Sequence, residues 1–306
     1  MLLLQQMIVL FILMIIGYGL RKKEIIDDKV SRSLSWLVVN IANPAMILSG
    51  SVNSEKMISG SELWRTCKIS IILYLGLIIA ALLVPIILHV PKHSAGVYQV
   101  MTIFSNIGFM GFPLIRSMYG NDALLYASIF LIPFNLLIYT FGIAAMTTGE
   151  TEQQKRKFQW GKIINIGVIS SVLTILIAAF QIQTPDFVKS TVSNLSGLTA
   201  PVSMMVIGAS MVHIDIKKLF TDVRLLLFSI IKLLVVPIVG MMLTKLFIQD
   251  EMMLGICLIM LATPVASMSA MLAQQYDGDY ELASKGVALT TILSVITMPI
   301  VSMLVM

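Results

Sequence analysis

Ser105-Asn106-Ile107-Gly108-Phe109-Met110-Gly111-Phe112-Pro113 lies inside an apolar segment that runs from about Ala95 to Ile115. Two glycines, an asparagine, a serine and a proline make a poor continuous helix. In a helix interior Gly is less favourable than Ala by roughly 1 kcal/mol and Pro by about 3 kcal/mol. Pro113 has no N–H and its ring clashes with the carbonyl one turn earlier, that of Phe109. In hydrocarbon, freed backbone groups are tolerated only where they are buried in protein or line a cavity. The stretch therefore reads as a membrane helix broken at a polar cavity, with Gly111 and Pro113 as breaking residues. A kinked, tightly packed helix is the plainer alternative, because Gly and Pro are common in membrane helices.

The rest of the chain agrees with a membrane setting. Of its 306 residues 58% are hydrophobic and only 12% charged, with a mean hydropathy of +0.93. A soluble domain carries about 25% charged residues. The charges lie between apolar stretches, which argues against a nucleic-acid partner. Cys67 and Cys257 are too few for a disulfide scaffold or a thiolate metal site. His89 and His93 have helical metal-ligand spacing, but Pro85 and Pro91 argue against one helix there, so no metal is expected. The stretch from Leu2 to Leu20 lacks a basic leader and a small-residue cleavage site, and reads as a retained first helix.

Ten candidate spans follow: Leu2–Leu20, Leu34–Val52, Cys67–His89, Ala95–Met118, Ala123–Met146, Ile163–Ile182, Val188–Val212, Val223–Phe247, Met252–Tyr276 and Leu282–Val305. The loops after the odd-numbered spans hold fourteen Lys and Arg, among them Arg21, Lys22, Lys155, Arg156, Lys157 and Lys217. The other side holds five: Lys56, Arg65, Arg116, Lys189 and Lys245. The excess marks the cytoplasmic side, so a multi-pass protein of the cell membrane with both termini outside is expected.

An internal repeat is also legible. Tyr119-Gly120-Asn121-Asp122 recurs as Tyr276-Asp277-Gly278-Asp279, an offset of 157. That offset carries Pro44 onto Pro201, two further expected breaking points, and Asn106 onto Thr263, beside Pro264. Residues 1–150 and 151–306 would then hold five helices each. An odd number per repeat makes the second copy enter the membrane from the opposite side. Inverted repeats with interrupted helices at matching places mark a secondary transporter with a midplane site.

Asn40-Ile41-Ala42-Asn43-Pro44, the Ser105–Pro113 run, Ala200-Pro201-Val202-Ser203 and Ala262-Thr263-Pro264-Val265-Ala266-Ser267 resemble the auxin efflux carrier family, particularly its bacterial members. The resemblance spans essentially the whole chain. It implies an all-α integral membrane protein of ten transmembrane helices in two inverted five-helix repeats, with broken helices four and nine crossing. It further implies a scaffold of spans 1, 2, 6 and 7 beside a moving transport part of spans 3–5 and 8–10. Small organic anions such as malate or malonate are the substrates it implies. The long central loop of many plant auxin carriers is missing, which weakens an auxin-like substrate.

At such a crossing, half-helix N-termini offer partial positive charge and unpaired N–H groups to an anion. Asn106, Ser105, Gly108, Thr263, Pro264 and Ser267 are the candidate substrate contacts, or else caps that satisfy the breaks. Asn40 and Asn43 before Pro44, and Asn135 beyond Pro133, are further candidates, with interhelical hydrogen bonding as the alternative. Lys232 is the ionisable residue deepest in a span, and the favoured reading is an ammonium that snorkels to the headgroups. No Asp or Glu lies well inside a span. No cofactor is expected, while sodium or proton coupling, facilitated exchange and pairing into a homodimer stay open. An enzyme is disfavoured, since neither HExxH nor GxSxG occurs. A channel or sensor is the competing class, which counterflow separates from a carrier.

Overall fold

The protein is all-helical over the residues that the computed structural model describes, 2–53, 59–146, 165–213, 219–276 and 278–305. The charged loop positions Lys56, Lys155–Lys162, Lys217 and Lys218, and Asp277 of the repeat signal, lie outside these residues. In chain order the helices are α1 (Leu2–Lys22), α2 (Asp28–Val52), α3 (Gly60–Ile87), α4 (Lys92–Ile103) and α5 (Ile107–Met146). They continue as α6 (Ile166–Ala179), α7 (Asp186–Ser210), α8 (Val223–Lys245), α9 (Glu251–Ala262), α10 (Ser267–Gln275) and α11 (Tyr280–Val305).

Among the described residues seven of these, α1, α2, α3, α5, α7, α8 and α11, are long and apolar enough to cross a membrane, and α6 and α9 are shorter apolar helices. The sequence-based count of ten differs at identifiable points. α4 and α9 are shortened by the interruptions after Ile103 and Ala262. α5 runs through two expected spans, bending at Gly120, whose φ of +80° and ψ of −173° only glycine adopts readily.

Polar caps start the apolar helices. The Asp27 carboxylate accepts from Val30 N–H, Asp222 from Leu225 N–H and Asp250 from Met253 N–H. Ser59 and Glu62 form a reciprocal capping box on α3, which satisfies two donors that the helix itself cannot.

α1 and α7 meet backbone to backbone. A Cβ on Gly17 would stand 2.1 Å from the Met205 carbonyl oxygen, and one on Gly208 would stand 1.9 Å from that of Met14. Small residues allow this approach where no hydrophobic force drives membrane helices together. The second half of α2 packs on α6, α5 and the start of α7, with Gly50 against the backbone of Leu125. The outer face is greasy: α3 alone exposes Ile72, Leu75, Ile79, Leu82 and Ile86. Water does not tolerate so continuous an apolar surface without a partner, and lipid covers it.

Gly208→Ala should lower stability by about 1–3 kcal/mol, the usual range for overpacking a tight contact. Gly19→Ala, whose Cβ would meet nothing within 4 Å, should be neutral or stabilising. Thermal unfolding of the two purified variants checks this; equal midpoints would mean the α1–α7 contact is not tight.

Candidate functional site

Both breaks are short extended segments. Phe104 leaves α4 at φ −95°, ψ 99°, and Asn106 at φ −77°, ψ 62° turns the chain into α5. In the second break Thr263 has φ −62°, ψ 147° and Ala266 has φ −68°, ψ 138°. Thr263 precedes Pro264, whose ring disfavours the α region for the residue before it. The segments lie side by side as an antiparallel bridge, Ser105 opposite Val265. Asn106 N–H donates to the Pro264 carbonyl at 2.7 Å, and Ala266 N–H to the Phe104 carbonyl at 2.9 Å. Val265 N–H donates to Thr290 Oγ1 on α11 at 3.1 Å.

This pairing departs from one expectation. The two bonds exchange if Asn106 is set against Ala266 and Phe104 against Pro264, an offset of 160, where the sequence signal sets Asn106 against Thr263 at 157.

Lys232 corrects another. It is wholly buried (0% exposed) and does not reach the headgroups. Its Nζ donates to the Thr102 carbonyl at 3.0 Å and to Ser105 Oγ at 2.7 Å. It sits in a π-helical turn of α8, Ile231–Val235, ahead of Pro237; such turns often mark functional sites. Both partners are neutral, and no carboxylate among the described residues pairs with it. Its depth was visible in the sequence, but the direction of its side chain depended on where α4 ends.

The two polar atoms of Asn106 are in different situations. Oδ1 accepts from Phe109 N–H at 3.3 Å and caps α5, while Nδ2 is buried with no protein partner. Thr263 Oγ1 and Ser269 Oγ are likewise buried without partners; Ser269, one helical turn into α10, was not singled out from the sequence. Ser267 is half-buried at the start of α10. Pro264 contributes its carbonyl to the bridge. Gly108 lies against Asn43, whose Nδ2 would be 2.8 Å from a Cβ there, and Asn43 Oδ1 is buried and unpaired.

The chain stays helical through Gly111, Pro113 and Pro44, so these are not the breaking points. Pro113 falls in the first α-helical turn after a π turn, Ile107–Gly111. Its missing N–H leaves the Phe109 carbonyl free, and Ser203 Oγ of α7 donates to that oxygen at 3.1 Å. Pro201 follows a one-residue interruption at Leu198. Asn40 donates to Trp36 O on its own helix at 2.9 Å. Asn135 donates to Leu131 O at 2.8 Å and accepts from Asn165 Nδ2, the α6 cap, at 2.6 Å. Asn40 thus bonds within its own helix, and both polar atoms of Asn135 are engaged by protein partners.

Four helix ends thus converge: the C-termini of α4 and α9 and the N-termini of α5 and α10. N-terminal ends carry roughly +0.5 and C-terminal ends −0.5 elementary charge. Lys232 covers the negative end of α4, and the Asn106 Nδ2 beside it has no protein partner.

Residues 2–302 match the membrane transport protein family, that of the auxin efflux carriers. The chain belongs to this family. An uncharacterized transporter of Methanocaldococcus jannaschii is 22% identical to this chain over 297 residues, covering 94% of each. Another from Methanothermobacter thermautotrophicus is 21% identical over 305 residues, again covering 94% of each. The protein is accordingly a membrane transporter.

Asn135→Ala removes a bond that joins α5 to the start of α6, and should destabilise the carrier by about 1–3 kcal/mol. Asn40→Ala, which loses only an exposed bond within α2, should shift stability by less than about 0.5 kcal/mol. Unfolding midpoints of the two variants test the contrast.

Proposed function

We propose that the carrier moves small organic anions, mono- or dicarboxylates of the malate and malonate class, across the cell membrane by alternating access. The observation that carries this reading is the Lys232 ammonium, wholly buried beside the paired breaks and held only by a carbonyl and a hydroxyl oxygen. Taking an ammonium out of water costs several kcal/mol even after the surroundings relax. Two neutral acceptors offset part of that, and a carboxylate supplies the missing counter-charge. The free Asn106 Nδ2 and Thr263 Oγ1 add hydrogen bonds that orient it.

The finer architecture belongs to the same proposal. Two inverted five-helix repeats, residues 1–150 and 151–306, carry the breaks in helices four and nine, which cross. The exchangeable pair of hydrogen bonds at the bridge supports this, as does the packing of α1 on α7 and of α2 on α6, since a pseudo-two-fold would swap those pairs. Helices 1, 2, 6 and 7 form the scaffold, and the loop charges put both termini outside. Against this scaffold the crossing moves as a unit, secondary active or facilitative, and delivers the anion to either face.

Counterflow in proteoliposomes is the test: unlabelled internal malonate should accelerate uptake of labelled malonate, which a channel does not do. Lys232→Met, similar in length and uncharged, should fold and weaken malonate binding by about 1.5–3 kcal/mol, the range of a charge-assisted hydrogen bond. Asn106→Ala should weaken it by about 1–3 kcal/mol, as for a buried group left unpaired. Native affinity in a stably folded Lys232→Met carrier would sink the assignment.

A further inference from the structure

A second cationic group stands apart from the breaks. Arg116 lies on the first arm of α5, ten residues beyond Asn106, or about 15 Å at the helical rise. It borders a cleft of about 320 Å³ between that arm, the start of α1 and α7. The lining includes Gln6 and Leu13 of α1, Ser117 beside Arg116, and Ser196 and Ala200 of α7, and none of the lining side chains is acidic. Arg116 Nη1 donates to Ser196 Oγ at 2.7 Å, and that hydroxyl donates onward to Ser193 O at 2.9 Å. A guanidinium has five N–H donors, so four remain for the cleft and its solvent. Arg116 has no carboxylate partner among the described residues. Gly197, also lining the cleft, has open space where a Cβ would be.

We propose that this cleft is a second anion site, which holds a small carboxylate on the Arg116 fork before or after it occupies the crossing. The inference rests on the organic-anion reading above. The volume is at the lower end of ligand pockets, about 300–1000 Å³, and suits a molecule of malonate size. Planar guanidinium matches a carboxylate with two parallel hydrogen bonds, and the Gln6 amide and Ser117 hydroxyl supply further polar contacts at the wall. Position adds a reason. Arg116 reaches from α5 to α7, across the boundary between the moving part and the scaffold, so an anion that takes over its donors loosens the Arg116–Ser196 link. The cleft lies toward the chain's N-terminal face, because it is built from the first turns of α1, the first half of α7 and the part of α5 beyond the break.

Equilibrium dialysis of labelled malonate against the purified full-length carrier in neutral detergent decides the matter. The wild type should bind two malonates per chain. Arg116→Gln should bind one, Lys232→Met the other one, and the double variant none. Arg116→Lys should keep the cleft site at least fivefold weaker, having lost the fork. Gly197→Leu fills the cleft while both cations are retained and should also remove one malonate, which keeps the test open if Arg116→Gln folds poorly. Loss with Arg116→Gln but none with Lys232→Met would overturn the crossing assignment and leave this site standing. Two malonates on folded Arg116→Gln, one wild-type malonate that depends on Lys232 alone, or no binding at all would overturn the cleft site. So would an anionic phospholipid that co-purifies through Arg116 and excludes malonate.

Discussion

Two backbone hydrogen bonds, Asn106 to Pro264 and Ala266 to Phe104, are what the centre of this carrier depends on. An interrupted helix inside a bilayer leaves N–H and C=O groups that hydrocarbon cannot satisfy, each costing several kcal/mol. The two interruptions satisfy each other. Thr290 takes one remaining amide, that of Val265, and Lys232 takes a carbonyl at the end of α4. Without the bridge neither break is tolerable alone. With it, four helix ends are held within one small volume, and the partial charges of those ends become usable.

The electrostatics follow from which ends are covered. Lys232 lies on a C-terminal end, where a cation is favourable, and this gives it a structural reason to be there. A carbonyl and a hydroxyl take two of its donors and carry no net charge, so no protein group here balances an ammonium. Asn106 behaves similarly: one half of its amide holds α5 in place while the other half stays unpaired.

Much of this was legible in the sequence, and the misses have physical causes. The interruption near Ser105 was readable because serine, asparagine and glycine cluster in an otherwise apolar run. Its position was misread by several residues, since a proline such as Pro113 is tolerated in the first turn of a helix. The match of Asn106 with Thr263 assumed one constant offset, and the backbone pairing obeys another. Lys232 was taken for a snorkelling residue because depth along a span is a sequence property, whereas the neighbour that captures an ammonium is set by packing. Asn40 and Asn135 are both candidates in one dimension. One is satisfied within its own helix and the other by the cap of α6, a partner thirty residues away.

The bridge has a consequence for biosynthesis. Phe104 and Asn106 leave the ribosome well before Pro264 and Ala266, the only groups that complete their pairing. At about 5–20 residues per second, the 160 residues between the paired positions take about 10–30 s to make. For that interval the first interruption lacks its partner strand, and for most of it Lys232 is also still unmade. The nascent chain must therefore keep its first half in contact with water or with the insertion machinery until the second half arrives, so the two halves mature together rather than in turn.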